Sequence, residues 1–275
     1  MSVYPQGWPD RPPMRAAARP ATWAPGPFHF GDAIAVFAYV VVFLFAGGYF
    51  LAVALGFIVG DPMELNNQFM SNFVSYTLVT LIMTAVAWRP LMRSLGVFAT
   101  GAWWKLLLLP GIWFANVVLN VLIFTLLEQP DTSANQAALE AMSTAAPPLL
   151  MIIMTVLFAP LVEEYLFRHL LVGKLSRYLN VWVCGVVSIV LFASLHFMST
   201  GFRFNPLEMV PYLTLATAIT VSYILFHRSF AFAVILHMVN NAIALAVLYS
   251  PLSQLSGGGA ETATLLTPWL HVLGW

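Results

Sequence analysis

Long stretches without a charged side chain dominate the sequence and constrain what it can fold into. The first runs from Ala33 to Gly60, and about 20 apolar residues are enough to cross the hydrocarbon core of a bilayer as a helix. Over the whole chain 60% of the residues are hydrophobic and only 8% are charged, so most of the surface has to face lipid. The sequence therefore predicts an all-α fold, a polytopic integral membrane helical bundle.

Six further apolar segments follow the first and predict seven transmembrane helices. The stretch 262–275 is short for a complete crossing, so the expected number is seven to eight. Residues 1–30 are rich in proline and have no apolar run, which predicts a disordered tail, and residues 31–275 form one helical membrane domain with a motif core at 147–250. The predicted spans are Ala33 to Gly60, Ser71 to Trp88, Leu106 to Leu127, Pro147 to Val172, Val181 to Met198, Leu207 to Phe226 and Phe230 to Tyr249.

Basic residues concentrate in the tail and in alternate loops, which predicts the orientation of the bundle. Loops rich in lysine and arginine stay in the cytoplasm, so the N-terminus is expected there and the bacterial inner (plasma) membrane is the expected location. The net charge is +0 and no long basic run exists, so no nucleic-acid partner is expected. The basic residues used are Arg11, Arg15, Arg19, Arg89, Arg93, Lys105, Lys174 and Arg177.

The fourth span contains charged residues, which are rare inside a membrane. A charge near the bilayer centre costs roughly 2.5 to 3.5 kcal/mol, so ionisable groups in a span face the bundle interior and usually serve function. Glu164 and Arg168 are four residues apart and share a helix face, where they can pair. Glu163 points about 100° away from Glu164, which leaves it available for chemistry.

Two later spans add further pairs of residues at the same spacing. Phe192 and His196 end the fifth span, and His237 and Asn241 share a stripe of the seventh. Each pair alone could be structural, because polar side chains hydrogen-bond between transmembrane helices. Together with the fourth span they supply a carboxylate base, two imidazoles, an arginine and an amide donor. These are the catalytic groups that a hydrolytic site uses.

The ordered trio EExxxR, FxxxH and HxxxN resembles the CAAX-protease and bacteriocin-processing family, also called the Abi family. The likeness covers residues 163 to 241. It implies an all-helical membrane core, commonly of eight spans, that cleaves prenylated CAAX proteins in eukaryotes and largely unknown substrates in prokaryotes. The expected function is that of an intramembrane endopeptidase whose partners are the lipid bilayer and a peptide or membrane-protein substrate. The oligomeric state stays open.

The resemblance also implies a role for each motif residue. Glu163 would be the general base, His196 would help it to hold the attacking water, and His237 and Asn241 would donate to the oxyanion. The implied supporting residues are Glu164, Arg168 and Phe192.

Two alternatives use the same side chains. Glu163, His196 and His237 match a catalytic zinc shell, with Zn²⁺ as cofactor. No HExxH helix is present, and we favour glutamate chemistry without a cofactor. The second alternative is a transporter or channel in which these ionisable groups line an ion path, and it predicts broken helices at corresponding positions of two halves.

The depth of His196 in its helix is a difficulty for a site shared with Glu163. At about 1.5 Å per residue, Glu163 lies roughly 16 Å from Lys174, whereas His196 lies roughly 24 Å from Asn180. His196 meets Glu163 only if the fifth span tilts or begins inside the membrane, with a buried elbow at 175–180.

Overall fold

The computed structural model describes residues 25–127, 134–196 and 206–250, and every regular element in these ranges is a helix. The all-α prediction is therefore confirmed, while most of the predicted tail and the segment 262–275 lie outside the described residues. The helices are α1 (Phe30–Leu44), α2 (Gly47–Ala54), α3 (Leu65–Ala99), α4 (Ala102–Leu127), α5 (Ala134–Ala145), α6 (Pro148–Arg177), α7 (Val181–Leu195), α8 (Val210–Leu225) and α9 (Phe230–Leu248).

The predicted number of seven to eight spans is not confirmed. Among the described helices, α3, α4, α6 and α9 are long and apolar enough to cross a membrane, and a fifth span results if α1 and α2 count as one. Helices α7 and α8 have 15 and 16 residues. At 1.5 Å per residue they measure roughly 23 Å, which is less than the hydrocarbon thickness of about 30 Å.

The first predicted span is not one continuous helix. Helices α1 and α2 are bent against each other by 73°, and Ala46 between them has a left-handed φ of 54°. Gly48 lies against α3, where a Cβ would stand 2.9 Å from the Cα of Ser75. The small residues at this point permit a sharp bend that the apolar composition of the segment conceals.

Helix α6 carries the charged motif and lies in the middle of the bundle. Two of its segments, Ile153–Phe158 and Tyr165–Lys174, are π-helical, and the second begins directly after Glu164. The hydroxyl of Ser188 on α7 donates to the carbonyl of Phe167 at 2.8 Å in a buried position. This bond holds α7 against the π-helical part of α6, close to the motif.

A buried ion pair joins the start of α1 to the end of α6. The ammonium group of Lys174 lies 2.7 Å from Oδ2 of Asp32, and the hydroxyl of Tyr165 donates to Oδ1 of Asp32 at 2.6 Å. The Arg177 guanidinium also donates to the carbonyl of Pro25 at 3.3 Å. The beginning of α1 and the end of α6 therefore lie at the same end of the bundle, as the orientation prediction requires.

Cysteine labelling can test the orientation, because Cys184 is the only cysteine and is buried. Helix α6 is long and apolar enough to cross a membrane, and the two ends of a crossing helix meet opposite sides. In a Cys184→Ser background we expect Gly26→Cys and Tyr178→Cys to react with an impermeant maleimide from the cytoplasmic side and Thr144→Cys from the outside. Labelling of Tyr178→Cys and Thr144→Cys from one side would contradict the predicted topology.

Candidate active site

An internal cavity of about 260 Å³ opens among the helices that carry the three motifs. Its wall includes Glu163 from α6, His196 at the end of α7, and His237 and Asn241 from α9. Helices α3, α5 and α8 complete the lining. Four side chains that are distant in the sequence are thus brought to one concave surface inside the bundle.

A charged network lies directly behind the cavity. Arg168 donates to Oε1 of Glu164 at 2.9 Å, and both side chains are fully buried, so the ion pair expected from their spacing is present. Nδ1 of His237 lies 2.7 Å from the same carboxylate oxygen. The guanidinium of Arg168 also donates to the carbonyl of Ala216 at 3.2 Å and lies 4.6 Å from the centre of the Phe192 ring. Glu164 thus connects the arginine to the histidine of the seventh predicted span.

Glu163 points into the cavity rather than into this network. Its side chain is 12% exposed, and its Oε2 lies 3.9 Å from Nε2 of His237, which is beyond hydrogen-bond distance. Its Oε1 accepts a hydrogen bond of 3.1 Å from the hydroxyl of Tyr76 on α3. One carboxylate oxygen of Glu163 therefore accepts a hydrogen bond, and the other faces the His237 imidazole.

His196 lines the same cavity as Glu163 because α7 is short and ends at Leu195. Nδ1 of His196 lies 2.9 Å from the carbonyl of Phe192, to which it donates, and Nε2 then acts as the ring acceptor. The ring stacks on Tyr212 with centroids 4.2 Å apart. The connection 175–180, where a buried elbow was expected, is partly or fully exposed with respect to the rest of the protein.

Asn241 is held by the backbone of α6 and by a neighbouring amide. Its Nδ2 donates to the carbonyl of Thr155 at 2.8 Å, and its Oδ1 accepts from Asn240 at 3.1 Å. The carbonyl of Thr155 belongs to a π-helical segment. Since a primary amide has two N–H groups, one bond to Thr155 leaves a second donor.

Sequence reasoning did not find two tyrosines of this site. Tyr76 bonds to Glu163, and Tyr212 stacks on His196. Neither tyrosine belongs to one of the three motifs, so the motifs did not mark them. Only the packing of α3 and α8 against α6 and α7 brings them to the cavity.

The zinc alternative requires three side chains arranged as ligands. In the part of the chain that the structure describes, no three histidine, cysteine, aspartate or glutamate side chains form a group that could hold a metal ion. Nδ1 of His237 is engaged by Glu164, and Nε2 is the ring nitrogen that faces Oε2 of Glu163 at 3.9 Å.

The fold and the cavity together define an integral membrane protein with a polar, enzyme-like site inside a helical bundle. Residues 145–243 match the family described as Type II CAAX prenyl endopeptidase Rce1-like, and all three motifs fall inside this stretch. The resemblance to the CAAX-protease family is therefore confirmed for this stretch, which is 99 of the 275 residues. This match implies an intramembrane peptidase. No curated protein and no solved structure matches the chain.

Proposed function

We propose that this protein is an intramembrane endopeptidase that hydrolyses peptide bonds through a water molecule activated by Glu163. Its substrate would be a membrane-associated protein or peptide that enters the cavity. The observation that carries this proposal is the convergence of Glu163, His196, His237 and Asn241 on one cavity within the Rce1-like stretch. A hydrolase needs a base, a water-positioning group and an oxyanion donor, and these side chains supply all three.

In the proposed reaction Glu163 removes a proton from a water molecule that Nε2 of His196 holds as a hydrogen-bond acceptor. The resulting hydroxide attacks the carbonyl carbon of the substrate. The second N–H of Asn241 stabilises the oxyanion that forms. Glu163 then returns the proton to the leaving amine as the C–N bond breaks, so protons and electrons balance over the cycle.

The contribution of His237 depends on where its protons are. Nδ1 faces the Glu164 carboxylate and donates to it, so Nε2 carries a proton only when the ring is an imidazolium. In that form Nε2 can donate to the oxyanion, and Glu164 compensates the positive charge. Arg168 places a positive charge 2.9 Å from the Glu164 carboxylate, because an arginine side chain is always charged. This arrangement gives the Glu164 and Arg168 pair a supporting role.

The transporter alternative draws less support from the structure. It predicts broken helices at corresponding positions of two halves, whereas the described residues contain one bent pair, α1 with α2. The two functions differ in a direct test. We expect the purified protein to release new amino termini from a library of membrane-associated peptides. Ion or solute flux through proteoliposomes without any cleavage would instead favour the transporter.

Metal analysis separates the glutamate mechanism from the zinc mechanism. We expect wild-type cleavage to survive exhaustive chelation, and we expect no stoichiometric metal to copurify. In a zinc enzyme, His196→Ala and His237→Ala would each release the metal together with the activity. One zinc per chain, lost in both variants and required to restore wild-type cleavage, would contradict the glutamate mechanism and leave the peptidase assignment standing.

A further inference from the structure

The hydrogen bond between Tyr76 and Glu163 links two distant parts of the chain. Tyr76 lies on α3, 87 residues before Glu163 and outside the Rce1-like stretch 145–243. The bond measures 3.1 Å from the tyrosine hydroxyl to Oε1 of the carboxylate. A donor on one oxygen leaves Oε2 as the oxygen that is directed toward His237.

The pair stands on a wall between two cavities. Beyond the cavity of about 260 Å³, a second one of about 210 Å³ lies on the side of α1, and both are lined by Tyr76 and Glu163. The Glu163 side chain is only 12% exposed, but the open space on two sides leaves the carboxylate room to rotate. The terminal torsion of a glutamate has broad, roughly two-fold preferences, so the side chain does not orient itself either. A hydrogen bond is therefore needed to hold one orientation.

The Tyr76 ring is itself held by aromatic packing from the first helix. Phe43 contacts Tyr76 edge to face with centroids 4.8 Å apart, and Tyr39 packs on Phe43 at 4.9 Å. Such contacts between aromatic rings stabilise a defined ring position. The row of three rings thus connects α1 to Glu163 through the Tyr76 hydroxyl.

We propose that Tyr76 is a positioning residue for the hydrolytic reaction: it orients the Glu163 carboxylate so that Oε2 takes the proton from the attacking water. This inference rests on the proposed function, because it assigns Tyr76 a role that acts through Glu163. It also gives α3, which the family match does not include, a part in the chemistry. Tyr76 need not touch the substrate to have this effect.

The test is the Tyr76→Phe variant of the full chain, assayed with a peptide that the wild type cleaves. We expect kcat to fall about 10- to 100-fold with KM changed less than about twofold, because a misplaced catalytic group costs rate and not ground-state binding. The variant keeps the ring and its packing, so the midpoint of thermal unfolding should stay at the wild-type value.

Tyr223→Phe provides a matched control. Tyr223 is fully buried on α8, its hydroxyl has no hydrogen-bond partner among the described residues, and it lines neither cavity. We expect its kcat to equal that of the wild type. A wild-type kcat in Tyr76→Phe, or a loss in Tyr76→Phe matched by an equal loss in Tyr223→Phe, would overturn the inference. Full activity in Glu163→Gln would instead overturn the proposed function itself.

Discussion

Glu163→Gln is expected to lower peptide cleavage by about 10²- to 10⁴-fold, the range that a positioned general base contributes. Glutamine has nearly the same shape and keeps an oxygen that can accept from Tyr76, but it cannot take a proton from water. The variant should therefore fold in wild-type yield and unfold at the same temperature. The measurement is kcat at saturating peptide, together with thermal unfolding of the purified protein.

A matched control is Glu64→Gln, which makes the same chemical change at an exposed position before α3. We expect this variant to cleave at the wild-type rate. If Glu163→Gln retained more than about a tenth of the wild-type kcat, Glu163 would not act as the general base. Both the glutamate mechanism and the zinc mechanism need this carboxylate, so this variant does not distinguish them. Metal content and sensitivity to chelation distinguish the two mechanisms.

Arg168→Ala is expected to destabilise the folded protein by about 3 to 5 kcal/mol, the typical effect of removing one partner from a buried ion pair. Glu164 would keep its position at zero exposure but lose the guanidinium 2.9 Å away. The substitution also removes the bond to the Ala216 carbonyl and the packing on Phe192. We expect a lower folded yield, a lower unfolding temperature and a loss of cleavage.

A double variant separates the charge effect from the lost packing. Replacing both partners, as in Glu164→Gln with Arg168→Met, removes the carboxylate that Arg168→Ala leaves without its arginine and retains much of the volume. We expect it to unfold at a higher temperature than Arg168→Ala, since neutral replacement of a buried pair is often tolerated. Equal unfolding temperatures for Arg168→Ala and Glu163→Gln would argue against the importance of the pair.

The local features of the site were predictable because they depend on helical spacing. Glu164 and Arg168 lie four residues apart, and this spacing alone predicted their contact. The order of three short motifs in apolar segments predicted the family, and the match at residues 145–243 confirms it. The contact of Tyr76 with Glu163 was not predictable in this way, because it joins residues 87 positions apart and depends on how two helices pack.

The number of membrane spans was less predictable for a different reason. Hydropathy shows that a segment prefers lipid, but it does not show where the helix in that segment starts, bends or ends. Ala46 and Gly47 lie within an unbroken apolar run, yet the backbone turns between α1 and α2 at this point. Likewise, α7 ends at Leu195, whereas the apolar segment suggested a span that continued to Met198.

The ion pair between Asp32 and Lys174 bears on the order in which the chain can assemble during synthesis. Asp32 is made 142 residues before its partner, so α1 reaches the membrane with a carboxylate whose counter-ion does not yet exist. Such a group favours water until it is neutralised, which keeps the start of α1 at the lipid surface. Only after α6 has emerged from the ribosome can both helices settle together. The start of α1 is thus expected to reach its final position only after α6 has been made.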